Sequence, residues 1–227
     1  MINKIDDCIV SIWKESDWTS NDIIKYIKPF IAPLKVGHAG TLDPFAQGIL
    51  IVCIGKMTKK VSEMMELKKQ YEVEIRFGER TDTLDCTGNV IKTKQYSQHN
   101  DVKIISILNS FVGTTNQIPP MFSALKYKGQ RLYALARKGI VVEREPRKVF
   151  IEDIKLLENK SNLIKISVIC GKGTYIRSLA RDIAHKLNTE GYVSELIRSK
   201  IGVFNKSNSI NVKDFKDWLL SQQHFQN

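Results

Sequence analysis

The chain has 227 residues, 42% of them hydrophobic and 26% charged. That is enough apolar material for a real core with an insertion or small appendage, and it excludes wholesale disorder, collagen-like repeats and a disulfide-stapled miniprotein. Thirty-five Lys and Arg against 24 Asp and Glu leave a formal net charge of +11, which favours a polyanionic partner: nucleic acid, an acidic membrane surface or a phosphorylated substrate.

Residues 9–12 read as a short apolar strand, and residues 21–30 (NDIIKYIKPF) as a helix capped by Ser20 or Asn21 and interrupted at Pro29. Residues 35–48 (KVGHAGTLDPFAQG) are loop-like, with three Gly and one Pro in fourteen positions. The unbroken run ILIVCI (49–54) predicts a buried strand, followed by Gly55 and a helix over 58–67. Tyr71, Val73, Ile75 and Phe77 alternate with Glu72, Glu74 and Arg76, the period of a strand with one apolar face. A long polar loop spans 78–88. Val102, Ile105, Leu108 and Val112 repeat at helical spacing up to Gly113, and another helix is expected within 129–139.

Ile164, Ile166, Val168 and Cys170 form a second alternating strand. It turns through Gly171 and Gly173 into a helix from Thr174, whose stripe of Ile176, Leu179, Ala180, Ile183 and Leu187 leaves Arg177, Arg181 and His185 on the other side. A short amphipathic helix is expected over 212–220. The irregular order of strands and helices points to an α+β protein with a largely antiparallel sheet.

Cys8, Cys53, Cys86 and Cys170 show no Cys-x-x-Cys spacing, and the histidines are equally scattered, so reduced thiols and no metal are expected. The N-terminus lacks a charged segment followed by an apolar one, and ILIVCI is far short of the roughly 20 residues of a membrane span. A cytoplasmic protein is expected, without membrane contact, and a monomer, since no coiled-coil or exposed apolar stripe is apparent.

Residues 126–148 hold eight Lys or Arg against two Glu, net +6 of the chain's +11, with Tyr127 and Tyr133 interleaved. Basic side chains reach phosphates and aromatic faces stack on unpaired bases; a solvated basic helix and hairpin has the same composition. Asp43 stands between Leu42 and Pro44 in a loop with Gly37, Gly40 and Gly48. A carboxylate held there suits a nucleophile or general base, and an ordinary Asp-Pro turn reads the same way. VICGKGTYIRSLARD (168–182) fails the Walker pattern twice, although its turn into a helix could hold an anion. Arg177 reads first as a solvated helical arginine, with a cleft carboxylate as the alternative. Tyr71 reads first as a core tyrosine.

Taken together, KVGHAGTLDPFAQGILIVCIGKMTK (35–59), KKQYEVEIRFGERTDTLDCTG (68–88), QIPPMFSALKYKGQRLYALARKGI (117–140), GKGTYIRSLARDIA (171–184) and YVSELIRSKIGVF (192–204) resemble, in order, the blocks of the TruB-type tRNA pseudouridine synthases. The resemblance implies a mixed, mostly antiparallel sheet with flanking helices and a thumb-like RNA-clasping insertion, here about 117–148. It implies conversion of the T-loop uridine at tRNA position 55 to pseudouridine, with tRNA as partner and neither cofactor nor metal. Asp43 matches the family's nucleophile, Tyr71 the tyrosine that stacks on the target base, and Arg177 the arginine paired with the catalytic carboxylate. His38, Tyr175, Leu196 and Lys14 match positions near the flipped base or the bound RNA.

The catalytic domain is expected over 1–210, with a short C-terminal helix and tail over 211–227; the 23 residues after Phe204 are too few for the RNA-binding PUA domain that relatives carry. The family's opening pattern D-K-P-x-G-x-T-S is Trp13-Lys14-Glu15-Ser16-Asp17-Trp18-Thr19-Ser20 here, so that turn is expected to close differently. The basic, aromatic-bearing insertion would also suit an RNA-binding protein that helps tRNA fold without needing its chemistry, but Asp43, Tyr71 and Arg177 together argue against that as its only role.

Overall fold

The structure, a computed structural model, describes residues 7–224. The chain condenses into two units, one made of residues up to Tyr71 together with those from Ile197 onward, the other running from Glu72 to Leu196. Residues 1–210, expected as one catalytic domain, are distributed over both. The first unit opens with β1 (Ile9–Lys14), α1 (Ser20–Ile31), β2 (Val36–Ala39), β3 (Gln47–Ile54), a 3-10 turn over Gly55–Lys60 and α2 (Val61–Glu66). Strand β4 (Lys69–Phe77) leads into the second unit. There follow β5 (Glu79–Thr81), β6 (Val90–Thr93), α3 (Asp101–Asn109), β7 (Gly113–Gln117), β8 (Lys126–Tyr127), β9 (Gln130–Arg131), α4 (Leu132–Ala136), β10 (Arg147–Lys160), β11 (Leu163–Cys170) and α5 (Ile176–Lys186). Strand β12 (Gly191–Ile201) leads back, and the first unit ends with β13 (Phe204–Asn205), β14 (Ile210–Asn211) and α6 (Phe215–His224).

In the first unit β3 is the axis. It pairs antiparallel with β1, Ile12 opposite Leu50, and with β2, His38 opposite Val52. Its first two residues pair in parallel with β12, Ile197 opposite Gln47 and Arg198 opposite Gly48. Both faces of β3 are covered, which is why its sequence is an unbroken apolar run. Leu50, Val52 and Ile54 pack with Ile12, with Ile23, Ile27 and Ile31 of α1, and with Phe215 and Leu219 of α6. Ile49, Ile51 and Cys53 pack on the other side with Ala39 and Ile201, under Met57, Val61 and Met64. Fully burying one such isoleucine contributes about 1.5–3 kcal/mol. Because α6 belongs to this core, the C-terminal helix is part of the first unit; residues 225–227 of the expected tail lie outside the described residues.

Several local expectations are corrected here. Thr19, not Ser20 or Asn21, caps α1, in a capping box with Asp22. Pro29 does not interrupt the helix, which runs on to Ile31; so near the C-terminus, its missing N–H removes a single late donor. Val36–Ala39 is a strand rather than loop, drawn into regular structure by the free edge of β3. In the 13–20 turn Asp17, at the place of the family pattern's Gly, takes φ 67°, a left-handed conformation that Asp adopts more readily than most residues.

In the second unit the sheet order is β12-β4-β11-β10-β7, with β11 and β7 antiparallel to β10. The inward face of β11 is Ile164, Ile166, Val168 and Cys170, as its alternation predicts. The polar loop 78–88 instead contains β5, which forms a hairpin with β6. Helix α3 buries Ile104, Ile107 and Leu108, whereas Val102 of the expected stripe is 77% exposed and Ile105 is exposed too. The expected helix within 129–139 is the five-residue α4. The fold is α+β and mostly antiparallel, as expected.

Candidate active site

Asp43 lies half-buried in the loop between β2 and β3, flanked by buried Leu42 and Ala46. Five backbone groups of this loop are held by polar side chains from elsewhere in the first unit. Arg198, fully buried, donates from Nη2 to Gly40 O at 3.2 Å, from Nη1 to Thr41 O at 3.3 Å and from Nε to Ile49 O at 2.7 Å. Ser20 Oγ accepts from Leu42 N at 3.0 Å and donates to Leu42 O at 3.2 Å. Pro44 O accepts from Lys14 Nζ at 3.0 Å and from Asp17 N at 2.9 Å. Ala46 N closes the turn on Asp43 O at 3.2 Å. The carboxylate therefore stands on a rigid platform, the condition that positioned chemistry needs.

Sequence reasoning counted Lys14 among the substrate-binding residues. In the structure it is buried, and its ammonium is used up by three carbonyls: Glu15 O at 2.9 Å, Trp18 O at 2.7 Å and Pro44 O. Three N–H donors meet three acceptors, so Lys14 braces the Asp43 loop. Burial pulls its pKa down to about 8, with Arg198 pushing the same way and Asp43 and Asp17 opposing. His38 projects from β2. Its Nδ1 is sealed from solvent without a hydrogen-bond partner. Burial, reinforced by the charge of Arg198, lowers its pKa and keeps the imidazole neutral at neutral pH. Tyr71 is buried near the start of β4. Lys14, His38, Asp43 and Arg198 thus form one electrostatically coupled group.

The second unit positions the other expected residues. Arg177, in the first turn of α5, is buried rather than solvated. It donates to Thr83 O and Phe122 O, both at 2.8 Å, and pairs with Asp85, Nη1 to Oδ2 at 3.2 Å. The other oxygen of Asp85 accepts from Thr83 Oγ1, Thr87 N and Thr87 Oγ1. Tyr175 precedes α5, its backbone N–H bound by Gln117 Oε1 at 2.8 Å, and Ser178 Oγ donates to Ile118 O. The N-terminal turn of α5 thereby fastens both the 83–87 loop and the 117–122 segment. Leu196 is buried in β12. Tyr127 and Tyr133 of the basic segment are each 39% exposed, with Lys128 and Arg137 lying over their rings.

Arg198, Asp85 and Ser20 were missed by sequence reasoning. Arg198 lay within a quoted block, YVSELIRSKIGVF, whose mixture of apolar, Ser, Glu and Lys residues gave no separate signal for it. Among the described residues no group of three or more His, Cys, Asp or Glu could hold a metal ion, and no helix is long and apolar enough to cross a membrane.

Fold and site together define a pseudouridine synthase fold. A chain in a crystal structure of a Cbf5-Nop10-Gar1 complex superposes with TM-score 0.73 at 25% identity, over 96% of this chain and 56% of that one. The model of the TruB family pseudouridylate synthase N-terminal domain matches residues 28–176. A protein of Clostridium perfringens called tRNA pseudouridine synthase B is 45% identical over 215 residues, 94% of this chain and 73% of that protein. One of the same name from Phocaeicola vulgatus is 39% identical over 216 residues, 92% of each chain. The chain belongs to the TruB family of pseudouridylate synthases.

Proposed function

We propose that this chain is a tRNA pseudouridine synthase that isomerises the T-loop uridine at position 55. The observation that carries the reading is half-buried Asp43 on a backbone fixed by Arg198, Lys14 and Ser20, inside the family's defining motif. The target base leaves the stack, which costs a few kcal/mol, and is held against apolar and aromatic walls; the family resemblance assigns Tyr71 and Leu196 to that role, and His38 and Tyr175 to contact with the base. Lys14 is assigned instead to bracing the loop.

In the reaction the bond between C1′ and N1 breaks, the uracil turns, and C1′ bonds to C5. The proton leaves C5 and N1 gains one, so product and substrate are isomers. No electron or atom enters the balance, so the reaction as written requires no redox cofactor. Asp43 acts as the ionised carboxylate, by attack on the base or the ribose or by supporting a glycal path. Tyr71 is assigned the proton transfer. Arg177, buried at the head of α5, is assigned to the electrostatics of the site. The basic 117–148 segment clasps the T arm, and the protein works as a cytoplasmic monomer without a metal.

The test is pseudouridine formation on an unmodified tRNA transcript, mapped by position, with Asp43→Asn alongside. Modification at position 55 by the wild type, abolished in the variant while tRNA binding is nearly unchanged, is the expected result. Turnover by Asp43→Asn at the wild-type rate removes Asp43 from its role.

A further inference from the structure

Gln117 is the last residue of β7, and Arg147, paired with it, is the first of β10. The chain leaves the sheet at Gln117 and returns at Arg147, so this pair closes the root of the basic insertion. Gln117 is buried, and its side chain reaches across to α5. There its Oε1 accepts from the backbone N–H of Tyr175 at 2.8 Å.

Tyr175 is the N-cap residue of α5, in extended conformation, and its side chain caps none of the helix's first amides. The amide of an N-cap residue is itself one of the groups that a helix leaves unpaired. In a capping box the side chain of the third helical residue would accept from it. That residue is Ser178 here, and its hydroxyl donates to Ile118 O at 2.8 Å instead. The turn that leads into Tyr175 contains Gly173 at φ 80°, a conformation that glycine enters without cost and that gives the next residue little restraint. The acceptor for the Tyr175 amide comes from outside the turn and the helix, from Gln117, 58 positions earlier.

Three other bonds hold the start of the insertion to the same helix. Ile118 O accepts from Ser178 Oγ and from Arg181 Nη2 at 3.2 Å, and Phe122 O accepts from Arg177 Nη2. None of them uses the Gln117 side chain, so its removal would loosen Tyr175 while the root of the insertion stays fastened to α5. We infer that Gln117 is a positioning residue for the isomerisation: its amide, at the root of the insertion, fixes Tyr175 at the head of α5. The inference rests on the assignment of Tyr175 to contact with the target base. Rate is far more sensitive than binding to a misplacement of about 1 Å at a reacting centre, so the effect falls on kcat and not on the hold on tRNA.

The experiment uses the full chain and compares wild type with Gln117→Met, Gln117→Glu and Ser178→Ala. Two quantities are read: kcat and KM on an unmodified tRNA transcript, and hydrogen exchange at the Tyr175 amide by NMR. Gln117→Met matches the length of the side chain without its acceptor. It is expected to lower kcat on the order of tenfold, to leave KM little changed and to speed exchange at Tyr175. Gln117→Glu keeps an oxygen at the same reach, and a negative charge at a helix N-terminus is favoured, so it restores slow exchange and most of kcat. Ser178→Ala removes a bond at the root of the insertion but spares the Tyr175 amide, and exchange there stays slow. A Gln117→Met variant with wild-type kcat, or with its loss confined to KM, overturns the proposal. So does Gln117→Glu if exchange at Tyr175 is slow again and kcat is not restored. If Gln117→Met does not fold, Gln117→Asn, one methylene too short to reach the amide, is held to the same outcomes. A wild type that forms no pseudouridine defeats the isomerase reading, and exchange at Tyr175 then decides by itself whether Gln117 fixes that residue.

Discussion

Arg198 and Asp43 are 155 positions apart in the sequence, yet the backbone on both sides of Asp43 hangs from one guanidinium. Its donors reach Gly40 O and Thr41 O before the carboxylate and Ile49 O after it. Arg198→Lys keeps the charge but brings one ammonium where a planar fork spans both strands of the loop. A displacement of about 1 Å in a reacting group costs on the order of 10²-fold, so kcat is expected to fall by roughly that factor while KM for tRNA changes little. A loss confined to KM, or no loss, would remove Arg198 from the positioning role. Arg198→Ala strands three carbonyls and is expected to lower stability by roughly 3 kcal/mol or more, readable in urea denaturation.

Gly48 is the point where β3 meets β12. It has φ 119°, and a Cβ there would fall 2.2 Å from the carbonyl oxygen of Arg198. Both the conformation and the contact are closed to a side chain, and the obstructing atoms are backbone. Gly48→Ala is therefore expected to destabilise by roughly 3 kcal/mol or more and to cost activity in whatever fraction stays folded. A variant with a wild-type urea midpoint would contradict the close pairing of Arg198 with Gly48.

Much of this was legible in the sequence for identifiable reasons. Strand β3 was readable because both its faces are covered, and β4 and β11 because alternation marks one buried face. Asp43 stood out through the family block that contains it, since a carboxylate in a Gly-rich loop beside a buried strand reads equally as an ordinary Asp-Pro turn. Helix α3 was misread by one face, since apolar residues at 102, 104, 105, 107 and 108 satisfy helical spacing in more than one register, and only what packs against it decides. Strand β10 was missed because charges interleave its apolar residues and two bulges break its register. Arg198 was missed for a related reason: burial along β12 shifts phase between Val193 and Leu196 and again between Arg198 and Ile201, so period two does not place the arginine inside. Arg177 was assigned to water because spacing cannot show that Asp85, far away in sequence, meets it.

Lys14 gives the site a pH signature. Its pKa of about 8 lies below the ordinary 10.5. Below pH 8 the ammonium supplies three donors to three carbonyls; above it the amine has two, and the loop loses a brace. Activity is expected to decline on an alkaline limb with a midpoint near pH 8. The stability effect has the opposite sign. Between about pH 8 and 10.5 the unfolded chain holds the proton that the folded chain has released, so the contribution of Lys14 to stability rises with pH. Lys14→Met is expected to lack both effects. A wild-type profile flat through pH 9 would show that the loop does not depend on this ammonium.

Asp85 is the counterpart of Lys14 in the second unit. Its carboxylate and the guanidinium of Arg177 are both buried, 3.2 Å apart. Its remaining oxygen is saturated by Thr83 and Thr87. Removing one partner of such a pair leaves the other charge buried without compensation, a loss of about 3–5 kcal/mol. Asp85→Ala is expected to lose that much in urea denaturation. Asp85→Asn should lose less, because its amide oxygen still accepts from Thr87 while the charge is gone. Thr83 O and Phe122 O continue to hold Arg177 in either variant. Asp85→Asn should therefore retain measurable turnover, whereas Arg177→Met, which releases the 83–87 loop and the 117–122 segment together, should lose turnover and stability alike. If Asp85→Asn proves as inactive as Arg177→Met while folding normally, the carboxylate serves the reaction directly rather than by holding the arginine.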